Sequence, residues 1–343
     1  MEKIGILTGG GDCPGLNAVI RAVVRRSHQI GYDVLGIKNG WAGLIQGGVE
    51  PLTDFSVIGI LPRGGTILGT SRTNPFKQVE SLQKLRSNWQ RFGLNYLVAV
   101  GGEDTLGVAY RLFKEEKWPI VGVPKTIDND LAGTDYTFGF DTAVQIVTEA
   151  IDRLHTTAES HKRVMVVEVM GRNAGWIATH SGMAGGADCI LVPERKFNID
   201  EVCTLIRRRI DRGKEFAIVV VAEGAAPDQG DQPITKGGHI DEFGHAQLGG
   251  VGDWLGQQIE RKTGIETRVT VLGHVQRGGS PTAYDRVLAT RFGLKAVELV
   301  RDRQFGFMAS LRGTEIVAVP IEAALSQKLL DPKVFDDASV FFG

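Results

Sequence analysis

One pattern recurs along this 343-residue chain: a short apolar segment, a glycine-rich loop, and then apolar residues at helical spacing. The first copy starts with the segment Ile4 to Leu7 and continues, after a loop, into a helical face from Leu16 to Val24. Similar apolar segments occur at 96–100, 164–169, 218–222 and 269–272. Strands that alternate with helices predict an α/β fold with mainly parallel sheets and right-handed crossovers.

The polar and glycine-rich segments of the chain directly follow these apolar strands. Five of them are TGGGDCPG (8–15), GGEDTLG (101–107), MGRNAG (170–175), EG (223–224) and GHVQRGG (273–279). Ligands of parallel α/β sheets bind outside the carboxyl ends of the strands. We therefore predict one composite site where these segments meet, rather than several unrelated turns.

The most unusual segment is PKTIDND at residues 124–130, which we call the PKTIDND loop. In extended backbone, alternate residues point the same way, so Thr126, Asp128 and Asp130 are predicted on one side and Lys125 on the other. Two carboxylates and a lysine suit phosphate chemistry, because they can take a proton, hold a metal and face negative charge. The alternative is a polar turn, since Asp and Asn are common turn residues.

Two further loops have polar residues suited to phosphate or metal. In TGGGDCPG, the TGGGD loop, glycines let backbone N–H groups approach a phosphate at a helix N-terminus. It matches neither a dinucleotide fingerprint nor a lysine-containing P-loop, so a structural tight turn is its alternative. Cys13 in this loop is either a nucleophile or, as we favour, a small loop residue. Glu103 and Asp104 either cap the helix that follows or bind Mg²⁺ beside a phosphate.

Several cationic side chains also lie near predicted strand ends or loops. Arginine suits phosphate because its planar group donates two parallel hydrogen bonds. Each of these residues has a surface position as its alternative, but together they can hold a non-reacting phosphate. They are Arg163, Arg268, His274 and Arg277, while Arg72 belongs with Arg63-Gly64-Gly65-Thr66 to a separate Gly/Arg loop that also suits phosphate.

Charge and cysteine usage exclude other classes of protein. The net charge of −1 gives no general basic field for nucleic acid, and no basic run indicates an anionic membrane. The apolar runs are of strand length, and the N-terminus does not resemble a signal peptide. Three widely spaced cysteines, Cys13, Cys189 and Cys203, fit a reducing cytoplasm.

Seven segments in their order along the chain resemble those of 6-phosphofructokinases. They are TGGGDCPGLNAVIRAVVR, RGGTILGTSR, GGEDT, PKTIDND, VEVMGRNAGW, AEG and TVLGHVQRGGSPTAYDR. The resemblance covers roughly residues 3–300, and the C-terminal SVFFG is similar to the actinobacterial branch. It implies a phosphoryl transfer to the 1-hydroxyl of fructose 6-phosphate, with Mg²⁺ as cofactor.

The resemblance implies an α/β fold of two doubly wound, Rossmann-like lobes, with the active site in the cleft between them. We predict that residues 1–139 and about 276–304 form the lobe for the phosphoryl donor. About 140–275 and 305–343 are predicted to form the fructose 6-phosphate lobe. A helix from about 141 to 157 is predicted to link the two.

The resemblance also implies roles for residues around the donor and the reacting hydroxyl. Asp128 would take the hydroxyl proton, and Arg172 would stabilise the transferring charge. Metal ligands would be Glu103 and Asp130, and donor contacts would be Gly11, Arg72 and Lys125.

The implied sugar-phosphate site is larger and is shared between subunits. Its residues are Thr126, Asp128, Arg163, Met170, Gly171, Arg172, Glu223, Arg268, His274 and Arg277. In the family, a neighbouring subunit supplies the positions of Arg163 and Arg268. We therefore expect a homodimer or homotetramer, with no nucleic acid or membrane partner.

Two departures from the family pattern concern the donor. ATP-dependent bacterial members read GGDGS and PGTIDND, whereas this chain has Asp104 and Lys125 at the corresponding glycines. A carboxylate at the place of the α-phosphate of ATP repels it, while a lysine can hold pyrophosphate. We therefore predict pyrophosphate as the donor and a reversible reaction. Glu103, one methylene longer, replaces the usual aspartate at the metal.

Two alternatives stay open at this point. The chain can be an ATP-dependent 6-phosphofructokinase, or a sugar-phosphate sensor on the same fold that has lost catalysis. Arg21 and Arg25 match effector-site arginines of regulated relatives, but Asp54 and His155 stand where those relatives carry arginine. We therefore expect weak or absent control by nucleotides.

Overall fold

A computed structural model describes residues 1–228, 235–240, 243 and 246–343 of the chain. The first part of the chain alternates strands and helices, as the sequence predicts. Its elements are β1 (Lys3–Thr8), α1 (Leu16–Gln29), β2 (Asp33–Ile37), α2 (Gly40–Gln46), β3 (Val49–Leu52), α3 (Val79–Phe92), β4 (Tyr96–Gly101), α4 (Glu103–Glu116), β5 (Ile120–Pro124) and α5 (Phe140–His161). Short 3₁₀ turns lie at Phe55–Val57 and Pro75–Lys77.

The second part of the chain continues this alternation and ends in two paired strands and a helix. Its elements are β6 (Val164–Val169), α6 (Trp176–Ala184), β7 (Cys189–Leu191), α7 (Ile199–Asp211), β8 (Ala217–Ala222), β9 (Thr235–Ile240), β10 (Ala246–Leu248), α8 (Val251–Thr263), β11 (Thr267–Val271), α9 (Ala283–Arg301), β12 (Phe307–Arg312), β13 (Glu315–Pro320) and α10 (Pro332–Ser339). Further 3₁₀ turns lie at Gly273–Arg277 and Ile321–Leu325.

The described strands form two main sheets and a separate hairpin. The larger sheet has the order β13-β12-β5-β4-β1-β2-β3, and the smaller has the order β11-β6-β8-β7. Pairing in the smaller sheet is parallel throughout, and in the larger sheet only the edge pairs β2–β3 and β12–β13 are antiparallel. The predicted α/β class with mainly parallel sheets is confirmed.

The central strands are apolar apart from Glu168 of β6, because helices cover both faces of the sheets. Every residue of β4, β5, β6 and β8 is buried. Helix α1 buries the predicted face from Leu16 to Val24 and packs against α9. These strands therefore end at defined positions beside the cleft, and their loops project from one edge of each sheet.

Helix α5 runs from the larger sheet to the smaller one and is longer than the predicted 141–157. Ala158 in its last turn is fully buried, and this burial stabilises the turn, so the helix continues to His161. The polar, glycine- and proline-rich composition of residues 227–239 predicts a surface loop, but residues 235–240 form β9, which pairs with β10. Residues 229–234 of that prediction lie outside the described residues.

The C-terminal segment corrects the predicted division into lobes. We placed residues 305–343 with the second lobe, but β12 pairs with β5 and brings β13 into the larger sheet. A buried strand such as β12 covers the edge that β5 would otherwise expose. Only the end of the chain returns to the smaller sheet, where α10 packs on α6 and β7.

None of the helices in the described part of the chain combines the length and the apolar character needed to cross a bilayer. The longest, α5, alternates buried and exposed residues as a helix at a protein surface does.

Candidate active site

One cavity, whose roughly 540 Å³ of empty space includes its mouth open to solvent, lies where β1, β4 and β5 end. Loops from both halves of the chain line it, as predicted for the carboxyl ends of parallel strands. The lining residues are Gly10, Gly11, Arg72, Gly102, Glu103, Asp104, Thr105, Lys125, Thr126, Asp128, Asp130, Leu131, Arg172 and Arg277.

The cavity brings together ten of the residues singled out from the sequence. They are Gly11, Arg72, Glu103, Asp104, Lys125, Thr126, Asp128, Asp130, Arg172 and Arg277. Six others do not line it: Arg163, Met170, Gly171, Glu223, Arg268 and His274. The candidate donor and metal residues are thus together, while much of the candidate sugar-phosphate set lies beyond this cavity.

Two glycines of the TGGGD loop leave the space that neighbouring side chains occupy at the cavity wall. A Cβ atom at Gly9 would lie 2.5 Å from Oγ1 of Thr105, and one at Gly11 would lie 2.6 Å from Nη1 of Arg277. Real Cβ atoms essentially never approach so closely. Any larger residue would therefore displace the side chains that form the cavity wall.

Lys125 lies at the centre of the cavity wall and corrects one detail of the sequence analysis. We predicted that it would point away from Thr126, Asp128 and Asp130, but it lines the same cavity. The reason is that β5 ends at Pro124, so the alternation of an extended strand does not continue. Lys125 is 3% exposed, and its Nζ donates to the carbonyl oxygen of Gly11.

The surroundings of Lys125 make its ammonium group unusually acidic. Burial, together with the nearby Arg277 guanidinium, lowers the pKa of Lys125 to about 8, against the opposing charges of Asp12 and Asp128. A negatively charged ligand in the cavity would favour the protonated amine. Lys125 is therefore suited to act as a cation that becomes fully protonated when a phosphate binds beside it.

Asp128 is 4% exposed, and its Oδ1 has no hydrogen-bond partner among the described residues. Buried carboxylate oxygens are normally hydrogen-bonded, so an exception at a cavity wall indicates a role toward a ligand. The backbone N–H of Asp128 donates to Oγ1 of Thr126 at 3.1 Å. This bond fixes the turn and leaves the carboxylate available.

Asp130 and Glu103 supply two carboxylates to the same cavity. Burial and the charges of Asp128 and Glu103 raise the pKa of Asp130 to about 7, against the opposing charge of Arg172. Carboxylates that repel one another in this way are what a divalent cation stabilises. Mg²⁺ takes one or two carboxylates and completes its shell with water and substrate phosphate. The residues present therefore fit that ion.

Glu103 and Asp104 are the first two residues of α4, where the helix N-terminus favours negative charge. The N-cap residue of this helix is Gly102, so neither Glu103 nor Asp104 occupies the N-cap position. The capping alternative is thus not what the structure shows. Across the described residues, no group of three or more His, Cys, Asp or Glu side chains could form an all-protein metal site.

The MGRNAG segment contributes Arg172 to the cavity through an unusual backbone conformation. Gly171 has φ of 145°, and Arg172 has φ of 50°, which is unusual for a residue with a side chain. The backbone N–H of Arg172 donates to Oε1 of Glu223 at 3.2 Å. Burial, then the nearby Asp128 carboxylate, raises the pKa of Glu223. Glu223 thus supports the loop that carries Arg172.

The basic residues predicted for the 6-phosphate pocket separate in the structure. Arg277 turns toward the TGGGD loop, donates to the carbonyl oxygen of Asp12 at 3.3 Å and lines the cavity. Arg163 binds Glu266 at 2.6 Å, and Arg268 binds the same carboxylate. This pair stands outside the cavity lining, which is compatible with a role at another subunit.

Two residues next to the site were missed in the sequence analysis. Gln276 is fully buried and accepts from the backbone N–H of Met170 at 3.2 Å. Lys328 donates to Oδ1 of Asn129, within the PKTIDND loop, at 3.0 Å. Gln276 belongs to the GHVQRGG segment, so the sequence contained a signal for it. Nothing in the local sequence around Lys328 indicates that contact.

Residues at the effector-site positions of regulated relatives contact other residues of this chain. Asp54 accepts from Arg25 at 3.2 Å, and His28 lies 3.0 Å from its other oxygen. His155 contacts the carbonyl oxygen of Gly185 at 2.8 Å instead of facing this group.

Comparison with known proteins identifies relatives along the whole chain. A family model described as Phosphofructokinase matches residues 3–300. A "Pyrophosphate--fructose 6-phosphate 1-phosphotransferase" of Streptomyces coelicolor is 60% identical over 343 residues, which cover 99% of this chain and 100% of that protein. An "ATP-dependent 6-phosphofructokinase" of Mycobacterium leprae is 52% identical over 344 residues, with 99% and 100% covered.

Among solved structures, a phosphofructokinase of Pichia pastoris in the T-state matches with a TM-score of 0.84 and 35% identity. The match covers 94% of this chain and 35% of that one, so this chain spans about a third of the yeast polypeptide.

Proposed function

Because this chain belongs to the phosphofructokinase family, we propose that it transfers a phosphoryl group from pyrophosphate to the 1-hydroxyl of fructose 6-phosphate. The products are fructose 1,6-bisphosphate and phosphate, and the reaction runs in both directions. The observation that carries the choice of donor is the pair Asp104 and Lys125, which line one cavity beside the TGGGD loop.

Asp104 and Lys125 act on different parts of the donor. The carboxylate of Asp104 disfavours the additional phosphate of a nucleotide, because like charges in a partly desolvated site repel. The ammonium of Lys125 stabilises the phosphate that leaves, which matters most as charge develops there. Gly11 and Arg72 contact the bound pyrophosphate. The Streptomyces coelicolor relative, named for pyrophosphate, is more similar than the Mycobacterium leprae relative, named for ATP.

Asp128 acts as the base of the transfer. Its unpartnered Oδ1 accepts the proton of the sugar 1-hydroxyl, while the hydroxyl oxygen forms the new bond to phosphorus and the bond to the leaving phosphate breaks. Arg172 stabilises the charge on the transferring group. Thr126 binds the sugar beside Asp128.

Mg²⁺ is the cofactor that enzymes of this family generally use. When bound, it neutralises charge on the phosphates and orients them. Glu103 and Asp130 would hold it, since both line the donor cavity and the Glu103 charge raises the pKa of Asp130.

The sugar phosphate is held by a larger set of residues from two chains. Met170, Gly171 and Glu223 belong to the same chain as the base, as do His274 and Arg277. Arg163 and Arg268 act in the site of a neighbouring subunit, which makes the active form a homodimer or homotetramer. Both arginines bind the carboxylate of Glu266, which holds the two guanidinium groups together for that role.

Nucleotides have little influence on the activity. The Asp54 carboxylate already occupies Arg25 and His28, so a phosphate would have to displace a negative side chain to bind there. A sugar-phosphate saturation curve that is hyperbolic with and without ADP is the expected result.

The decisive experiment is a comparison of donors. Wild-type protein is assayed with Mg²⁺ and fructose 6-phosphate, once with pyrophosphate and once with ATP, and kcat/KM is measured for each donor. We expect a kcat/KM for pyrophosphate at least a hundredfold higher. An equal or higher value for ATP would establish the ATP-dependent enzyme instead, which the relatives at 52% identity favour. Turnover of neither donor would indicate a sugar-phosphate sensor.

A further inference from the structure

The C-terminal strap, which we define as residues 326–330, runs directly beside the PKTIDND loop. The backbone N–H of Lys328 donates to the carbonyl oxygen of Asp130 at 2.7 Å. Next to it, Gln327 forms an antiparallel bridge with Leu131. The strap therefore pairs with the chain at the end of the loop that carries the candidate base and metal ligand.

The strap also reaches the half of the molecule built on the smaller sheet. The indole N–H of Trp176, the first residue of α6, donates to the carbonyl oxygen of Lys328 at 3.0 Å. Two positions further, the N–H of Leu330 donates to Oε1 of Glu194 at 2.8 Å. The same carboxylate accepts from the N–H of Gly175 at 3.0 Å. Both walls of the cleft are thus fastened to one short segment.

The side chain of Lys328 contacts the segment that follows Asp128. Its Nζ donates to Oδ1 of Asn129 at 3.0 Å and to the carbonyl oxygens of Thr134 at 3.0 Å and Asp135 at 2.9 Å. An ammonium group has three donors, so these three oxygens satisfy it completely. The charged group is therefore held in one place and holds residues 129–135 in return.

Asn129 is the residue that sets the direction of the two neighbouring carboxylates. It stands between Asp128 and Asp130 with φ of 52°, in the left-handed region. Such a conformation costs free energy and persists only where the surroundings hold it. Its Oδ1 accepts from the N–H of Thr137 at 3.1 Å as well as from Lys328. These contacts keep the turn in place.

We propose that Lys328 is a positioning residue of the phosphoryl transfer, whose ammonium group holds the turn at Asn129 so that Asp128 and Asp130 both face the cleft. Lys328 is outside the cavity lining, so it acts through the loop and not on the substrates. Burial lowers the pKa of Lys328 to about 8, while the opposite charges of Asp135 and Asp130 favour the ammonium form. This inference rests on the proposed function and adds a residue to it.

The test compares Lys328→Met with Lys333→Met. The first variant keeps most of the aliphatic length beside Trp176 and loses the ammonium, and the second removes an exposed lysine of α10 five residues further on. A misplacement of about 1 Å can cost about a hundredfold in rate. For Lys328→Met we expect kcat with pyrophosphate to fall between about 10-fold and 100-fold, with both KM values within about threefold of wild type. Lys333→Met should match wild type.

A second arm separates positioning from simple loss of stability. Lys328→Ala leaves room for a small amine, so added methylammonium should restore part of its kcat, at concentrations that leave wild type unchanged. Thermal unfolding is recorded for every variant. If Lys328→Met does not fold, Lys328→Gln takes its place, because it keeps N–H donors and loses only the charge and some length.

The outcomes are distinct. A Lys328→Met enzyme with wild-type kcat overturns the role of Lys328 and leaves the proposed function intact. The role is also overturned if Lys328→Met loses kcat in proportion to a fall in Tm and methylammonium does not restore kcat to Lys328→Ala. Wild-type protein that uses ATP and not pyrophosphate overturns the proposed donor alone, and the same variants are then compared with ATP.

Discussion

Asp128 is the residue on which the proposed chemistry depends most directly. We expect Asp128→Asn to lose about 10²–10⁴-fold in kcat, because a positioned base contributes about that much. Binding of fructose 6-phosphate, measured by calorimetry, should persist, since the amide has nearly the same shape. A variant within a few-fold of wild-type activity would remove Asp128 from the role of base.

Asp104 and Lys125, the two charged residues proposed to face the donor, lead to a second prediction about single residues. Asp104→Gly should admit ATP and weaken use of pyrophosphate, and a few kcal/mol of relieved repulsion corresponds to about a hundredfold in binding. Lys125→Gly should lower kcat with pyrophosphate more than it raises activity with ATP, because the buried ammonium next to Gly11 is lost. The double variant should favour ATP most. The check is kcat/KM for both donors in all four proteins, and an unchanged preference would show that other side chains exclude the nucleotide.

Asp130 predicts how stability depends on pH when metal is absent. Its pKa is raised from 3.8 to about 7, with burial as the first cause, so between these values the folded protein binds a proton that the unfolded chain does not. The contribution of this group to stability therefore falls as pH rises through that window, and it stays low above pH 7. In EDTA at pH 8, Asp130→Asn should have a Tm a few degrees above wild type, and the difference should vanish toward pH 4.

Addition of Mg²⁺ at pH 8 is the control for this prediction, because the ion stabilises only the carboxylate that it binds. It should raise the Tm of wild type more than that of Asp130→Asn. A variant that is less stable than wild type at pH 8 in EDTA would contradict the argument.

At the scale of elements, the starts of α5 and α9 are joined by one buried carboxylate. Asp285, fully buried in the first turn of α9, accepts from the N–H of Thr142 at 2.8 Å and from its Oγ1 at 2.6 Å. Thr142 lies in the first turn of α5, the helix that runs from one sheet to the other. This contact fixes where α5 leaves the larger sheet.

We expect Asp285→Ala to destabilise the protein by about 1–3 kcal/mol, because the buried N–H of Thr142 loses its acceptor. Asp285→Asn should cost less, since its amide oxygen can still accept. Chemical unfolding gives the free energies, and Asp337→Ala on the exposed side of α10 is the matched control. Equal stability of Asp285→Ala and the control would mean that the two helices are held by packing alone.

At the scale of the whole molecule, the proposal requires that two chains build each sugar-phosphate site. Arg163→Ala and Asp128→Asn should each be nearly inactive alone. After mixing under conditions that exchange subunits, hybrids should contain sites with an intact base from one chain and an intact arginine from the other. Activity should then return, as measured by initial rates with pyrophosphate.

The matched control for that mixture combines Asp128→Asn with Arg172→Ala. Both residues line the cavity of one chain, so no hybrid of these two variants has a complete site. Recovery in the first mixture only would support the shared site. No recovery in either, with exchange shown by labelled subunits, would place Arg163 outside the active site.

The sequence alone determined the elements and the residue types of the cleft. Apolar periodicity is local, and it predicted β1, β4, β6 and β8 with the loops that follow them. Because carboxyl ends of parallel strands share an edge, those loops were expected to meet, and Gly11, Glu103, Lys125 and Asp128 do line one cavity.

Only the tertiary structure decided what depends on contacts between distant segments. The strands β12 and β13 belong to the larger sheet because β5 offers an edge, which no local pattern in residues 305–343 reveals. Arg277 turns to Asp12, 265 positions away in the chain, and Lys328 reaches Asn129 across 199. The raised pKa of Asp130 and the lowered pKa of Lys125 have the same origin, because burial and neighbouring charges exist only once these segments pack together.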